Sequence, residues 1–287
     1  MSEITRPADR DDLRRIWPAV NASHVFDDYA ELVAWWEAAP WRVRVTRAGE
    51  AAVLGRWRAQ LDLLAVKGLW CATERIPVLL EDLSAVARAQ GFARLLGPLV
   101  PDDAVAAYLT AGFEERQRIV VYRMQPPLSV VRPAPAGVEV RIGLPTDRTA
   151  VAALDASCFD EFWRYDEESL RAYFASERLG VAEDSGRVVG YTLSTVHGVE
   201  GTVGRLAVTP EWRGRGIGTA LLADSVAYLA RKGALAVTLC TQEENDGSRR
   251  LYRKAGFRES PGRLVSTISP MLQGLPATTI EGREGRS

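Results

Sequence analysis

The chain has 287 residues, 47% of them apolar, which is enough for one large domain or two of ordinary size with real cores. A formal net charge of −1 gives no argument for nucleic acid or an anionic membrane as partner, so any basic site must be local. Three widely spaced cysteines with no C-x-x-C, and only two histidines, argue against a disulfide framework, a zinc site and a histidine-rich metal centre. The polar start, Met1 to Pro7, lacks a leader-like apolar stretch and no apolar run approaches a membrane span, so a cytoplasmic location is expected.

Taken in order, the chain repeats itself. Thr5 to Arg10 is echoed by Arg141 to Arg148; Leu64-Ala-Val66 by Leu206-Ala-Val208; Trp70 by Trp212; Leu79-Leu80 by Leu221-Leu222; Asp82 by Asp224; and Gly91 by Gly233. From Leu64 to Gly91 the offset is constant at 142, and Tyr108-Leu-Thr-Ala-Gly-Phe113 then matches Tyr252-Arg-Lys-Ala-Gly-Phe257 at 144. A repeat of this length is a whole domain. Trp17, Trp35, Trp36 and Trp41, with Phe26 and Tyr29, read as packing within the first copy. Four prolines between Gln125 and Gly137 cannot continue a helix or central strand, so residues 126–136 are expected to link a first domain, 1–125, to a second, 137–273.

In the second copy Val138 to Ile142 alternates as a strand, and Thr146-Asp147 can cap a helix through Ala150 to Ala156. A second helix fits Glu167 to Ser176. Gly180 to Glu183, a turn at Asp184-Ser-Gly186, and Arg187 to Thr195 form a hairpin. A buried strand from Val203 to Val208 follows, then a helix from Ile217 to Lys232 closed by Gly233. Ala234 to Cys240 is the next strand, 245–255 a helix, and Phe257 and Leu264 to Ile268 the last strands. The order implies an α/β class, a mixed sheet with helices on both faces. The Gly- and charge-rich tail, 274–287, is expected to be flexible, and Ile280-Glu-Gly-Arg283 looks like a protease-tag remnant.

Between strand and helix lies Arg213-Gly-Arg-Gly-Ile-Gly218, followed by Thr219. Glycines here let successive N–H groups converge at the positive end of a helix, where an anion is stabilised, and two guanidiniums add charge. The spacing is neither a P-loop, since no Lys-Ser/Thr follows, nor G-x-G-x-x-G, since Thr219 takes the third glycine's place. At the 142 offset the first copy sets Ala72, Glu74 and Ile76 against Gly214, Gly216 and Gly218, and Cys71 and Thr73 against Arg213 and Arg215. That copy is therefore expected not to bind an anion in this way.

The pattern Arg213-x-x-Gly216-x-Gly218, with a second block from Asn245 to Phe257 at the expected distance, resembles the GNAT superfamily of N-acyltransferases. The resemblance covers about residues 137–271 and is specific for the cofactor. It implies two tandem GNAT-like domains, the first degenerate, with acetyl-CoA as cosubstrate and no metal. Backbone of Leu206, Ala207 and Val208 would hold the pantetheine arm, with the Val208 N–H polarising the thioester carbonyl. Arg213, Gly214, Arg215, Gly216, Ile217, Gly218 and Thr219 would hold the pyrophosphate, and Asn245 and Ser248 would contact the cofactor. Tyr252 would protonate the departing thiolate; the competing reading is a packed tyrosine, as helix capping is for Asn245.

The base is open. Family members often use a strand glutamate, but Thr202 and Gly204 occupy those places; Glu200, His197, Asp160 and Glu161 are the nearby alternatives. Cys158-Phe-Asp-Glu-Phe-Trp-Arg-Tyr165 either receives a cationic or aromatic amine or pins helices together. The expected activity is acetyl transfer to a primary amine, on a small molecule or a peptide, by a monomer or homodimer with no nucleic-acid or membrane partner. A non-catalytic CoA-binding sensor or scaffold, and a protein N-terminal acetyltransferase, are the alternatives.

Overall fold

The computed structural model describes residues 4–23, 25–26, 28–130, 134–165, 167, 170–171 and 178–272. The first half supplies β1 (Arg6–Pro7), α1 (Arg10–Ala22), α2 (Tyr29–Ala38), β2 (Val43–Val45), β3 (Ala51–Arg56), β4 (Leu63–Trp70), α3 (Ile76–Ala89), β5 (Arg94–Leu96), β6 (Val100–Pro101), α4 (Ala106–Thr110) and β7 (Glu114–Met124). The second supplies β8 (Val138–Ile142), α5 (Arg148–Cys158), β9 (Arg178–Asp184), β10 (Arg187–His197), β11 (Glu200–Val208), α6 (Ile217–Arg231), β12 (Ala236–Gln242), α7 (Asp246–Lys254), β13 (Arg258–Glu259) and β14 (Leu264–Ile268). The elements follow local chemistry. Asp9 and Asp12 close a capping box on α1, Asp28 caps α2, and Gly233 ends α6 at φ +88°.

The helix expected from Glu167 to Ser176 lies largely outside the described residues, as does the 280–283 segment. Asp147 does not cap α5. Its carboxylate turns back to the Leu144 N–H, at 2.7 Å, and to Arg141, at 2.7 and 2.9 Å, because a buried carboxylate is stabilised most by a charge-assisted pair.

All strands join one mixed, mostly antiparallel sheet, in the order β1-β2-β3-β4-β5-β14-β7-β12-β11-β10-β9-β8, with β6 and β13 beside β14 and β7. The middle of that order is an exchange. β7, from the first half, lies against β12 of the second through Ile119 to Met124, while the last strand, β14, meets β5 of the first half at Ile268–Leu96. Backbone pairing therefore crosses the proline-rich stretch in both directions, which composition alone does not reveal.

The pairing also corrects the internal alignment. β4 runs parallel to β5 from Leu63–Arg94, and β11 parallel to β12 from Glu200–Ala236. Each has a β-bulge at the same height, at Lys67 between Val66 and Gly68, and at Gly204 between Val203 and Arg205. Lys67 and Gly204 are 137 positions apart, whereas Gly91 and Gly233 are 142 apart. The five extra residues are Arg213 to Ile217. Ala72 and Glu74 are thus not the counterparts of Gly214 and Gly216, while Ile76 still corresponds to Gly218; in the first half the short 3-10 turn Thr73–Arg75 runs straight into α3, and the loop is missing. The Leu64–Val66 match to Leu206–Val208 is shifted as well: Val66 corresponds to Val203 and Leu69 to Leu206.

Candidate active site

Bulge and splay make the opening. β11 pairs with β12 only as far as Val203–Leu239, yet continues to Val208, while β12 continues to Gln242 against β7. Among the described residues, Gly204 to Val208 therefore have no strand on that side. The bulge places residues of opposite parity on one face: Val203, Leu206 and Val208 turn towards α6, and Arg205 and Ala207 towards α5. The side chains of Leu206, Ala207 and Val208 pack; their backbone borders the opening. The Val208 carbonyl accepts from the Cys158 thiol and, at 3.0 Å, from Arg213 Nε.

At the end of β11 the loop delivers α6. Gly214 and Gly216 have φ +78° and +90°, backbone that side chains on L-residues rarely adopt, and Gly216 directly precedes the helix. No side chain caps α6 and its first turn holds no acid, unlike α1, α2 and α7. No side chain accepts from its leading N–H groups. Arg213, Gly214 and Arg215 are exposed, with the Arg215 guanidinium 4.5 Å over the Trp212 ring; Thr219 is half-buried and the Ile217 side chain is core. Gly218 sits where an added Cβ would make only ordinary contact with Leu251, at 3.4 Å.

Tyr252 stands at the other end of the splay, packed with Val203 and Leu239, the last paired residues. Its ring meets Tyr122 edge-on at 5.5 Å. Burial first, and then the neighbouring Cys240 thiol, push the phenol pKa well up, while a hydrogen bond with Ser248 opposes them; the hydroxyl stays protonated at neutral pH. Cys240 is the first β12 residue beyond the parallel pairing, its thiol open to solvent but walled by protein that raises its pKa. Ser248 and Tyr252 are thus brought together. Asn245 Oδ1 accepts the Ser248 N–H at 3.1 Å and so caps α7. Glu200 is not brought in: it starts β11, three residues before the strands part, and pairs with Arg123 at 2.5 Å. Asp160 accepts the Trp163 N–H, and the Glu161 carbonyl accepts from Gln60.

The α5 side holds residues that pattern reading missed. Asp155, fully buried, accepts from Arg205 Nε and Nη2 at 2.8 and 2.6 Å, from the Tyr191 hydroxyl, and from the Tyr165 N–H at 2.7 Å. Arg205 lies between the Phe159 and Tyr165 rings, 3.3 and 4.4 Å from their centroids. The sign of it in the sequence is a cation inside an apolar strand, between Val203 and Leu206. The 159–165 segment is read by the first half: Trp57 donates to the Phe162 carbonyl at 2.8 Å and Arg58 to that of Trp163 at 2.6 Å, while Phe162 packs on Leu63 and Ala65. Pinning is what these aromatics do.

Residues 148–257 match the family described as "Acetyltransferase (GNAT) family". The chain is similar to a mycothiol acetyltransferase of Thermobispora bispora, 33% identical over 54% of this chain and 59% of that protein. It is also similar to one of Salinispora arenicola, 33% identical over 60% and 64%. The matches span about half to two-thirds of these relatives' length. In fold it is similar to a GCN5-related N-acetyltransferase from Sphaerobacter thermophilus, TM-score 0.68, 22% identity, 94% of this chain and 95% of that one. A tandem GNAT protein from the clavulanic acid biosynthesis pathway gives TM-score 0.68, 18% identity, and 93% and 97% coverage.

Proposed function

The C-terminal half of this chain belongs to the GNAT family of acetyltransferases, and from that premise we propose that it transfers an acetyl group from acetyl-CoA to a primary amine, by direct attack in a ternary complex. The observation that carries the reading is the uncapped start of α6, presented by two positive-φ glycines at the end of a strand that has parted from its neighbour. These features fit the cosubstrate: N–H groups of Gly214 to Thr219 for a pyrophosphate, and the free backbone of Gly204 to Val208 for an amide-bearing arm. Acetyl-CoA supplies the activated acetyl thioester. The chain orients it along β11, and the protonated Tyr252 hydroxyl donates to the leaving sulfur.

Tyr252→Phe is expected to lower kcat by about 10²-fold, the usual size of a lost general acid, with acetyl-CoA affinity nearly unchanged. Stopped turnover of thiol release and calorimetric titration check both parts; unaltered kcat removes Tyr252 as the acid. One observation favours the sensor reading. Thr202 and Gly204 leave the open strand without a carboxylate, and Glu200 is ion-paired. Thiol release assayed over a panel of polyamines, aminoglycosides and peptides separates the readings: tight acetyl-CoA binding with no release for any amine favours the sensor.

A further inference from the structure

The bulge residue of the first half is a lysine, and its surroundings are cationic. The Lys67 stem crosses Gly55, where an added Cβ would lie 2.7 Å from Cε, and its ammonium lies 5.2 Å from the centroid of Trp35. The Arg42 guanidinium lies 5.1 Å from the same ring. Arg42 Nε is buried with no hydrogen-bond acceptor, and neither Lys67 nor Arg42 forms a salt bridge among the described residues. Arg58, three residues along from Gly55, stacks at 4.8 Å on Trp57 and at 4.3 Å on Tyr165 of the second half.

Burial and then repulsion from Arg58 lower the Lys67 pKa, with Arg42 adding to this; the Glu31 carboxylate is the one group acting the other way. Lys67 is nonetheless exposed to solvent. Holding Lys67 and Arg42 on one ring with no salt bridge of their own is unfavourable unless an anion joins them. The same face leads to the chemistry. Gly55 pairs with Ala65, on which Phe162 of the second half packs, and the Tyr165 ring lies 4.3 Å from the Arg58 guanidinium and 4.4 Å from that of Arg205. The Arg58 charge also reaches the Cys240 thiol, at the splay.

We propose that Lys67, Arg42 and Arg58 form an anion subsite at the junction of the halves, holding a carboxylate or phosphate carried by the acceptor while its amine reaches the Cys240–Tyr252 end. This rests on the acetyltransferase reading for the amine, but not for the anion. The first half thus selects the acceptor although it lacks the pyrophosphate loop.

The test pairs primary amines of graded length ending in phosphate or carboxylate with neutral hydroxyl- or amide-ended isosteres, using the full chain. The wild type is expected to favour the anionic member. In Lys67→Met and Arg42→Gln, the anionic-to-neutral ratio of kcat/KM falls about tenfold, the effect of one lost charge-assisted contact of roughly 1.4 kcal/mol. The phosphate and carboxylate series tell the two anions apart. Titration with inorganic phosphate, the loop saturated with acetyl-CoA, gives a direct readout: binding weakened about tenfold in either variant supports the subsite. An unchanged kcat/KM ratio together with unchanged phosphate binding overturns it. Absence of all turnover, with phosphate binding still dependent on Lys67, sinks the acetyltransferase reading and leaves the anion subsite standing.

Discussion

Gly216→Glu is expected to weaken acetyl-CoA binding at least about a hundredfold, or roughly 2.7 kcal/mol, while the protein still melts cooperatively, at a somewhat lower temperature. Two effects combine. Position 216 holds φ +90°, which costs a side-chain-bearing residue roughly 1–2 kcal/mol. A carboxylate would also stand at the open N–H groups of α6, where it competes with the pyrophosphate and repels it. The fold tolerates the change because the first half builds the same strand and helix with no residues in place of 213–217. Calorimetric titration beside a thermal melt checks both claims, and a loss of affinity below tenfold with an intact melt removes the loop from the cofactor site.

Asp155→Asn carries the largest expected effect on stability, a loss of about 3–5 kcal/mol. The substitution keeps shape but leaves the Arg205 guanidinium buried between Phe159 and Tyr165 without its counter-charge. Removing both charges in Asp155→Asn/Arg205→Met should recover most of the loss, because the penalty comes from an uncompensated ion rather than from a missing attraction. Urea unfolding of the two singles and the double gives the coupling. Additive losses would mean that the pair acts through packing alone.

How far the sequence was legible follows from range. The loop, the helix it feeds, the β9–β10 turn and the Tyr252 block are local patterns of glycine, proline and apolar spacing, and they lie where the pattern sets them. What escaped depends on distance. Asp155 and Arg205 are 50 positions apart, and each is unremarked alone; only the register of β11 over α5 makes them partners. The repeat was real, but Leu-Ala-Val recurs by chance in apolar strands, and a five-residue insertion slid the match onto the wrong rungs. Bulges at Lys67 and Gly204, invisible to composition, restore the true alignment. Asp147 reads as a cap for the helix that follows it, whereas its carboxylate turns back six positions to Arg141 on β8, a choice set by charge and not by spacing.

The exchanged strands bear on how such a chain can be made. A ribosome releases β5 long before β14, so the first half waits with an open sheet edge until the final strand emerges. Meanwhile β7 is held for β12, which is itself not yet synthesised. Neither half is a self-contained cassette. A protein cut at the proline-rich stretch would leave each piece short of a strand that the other carries, and the ordering of synthesis makes the C-terminal strand the keystone of the N-terminal half.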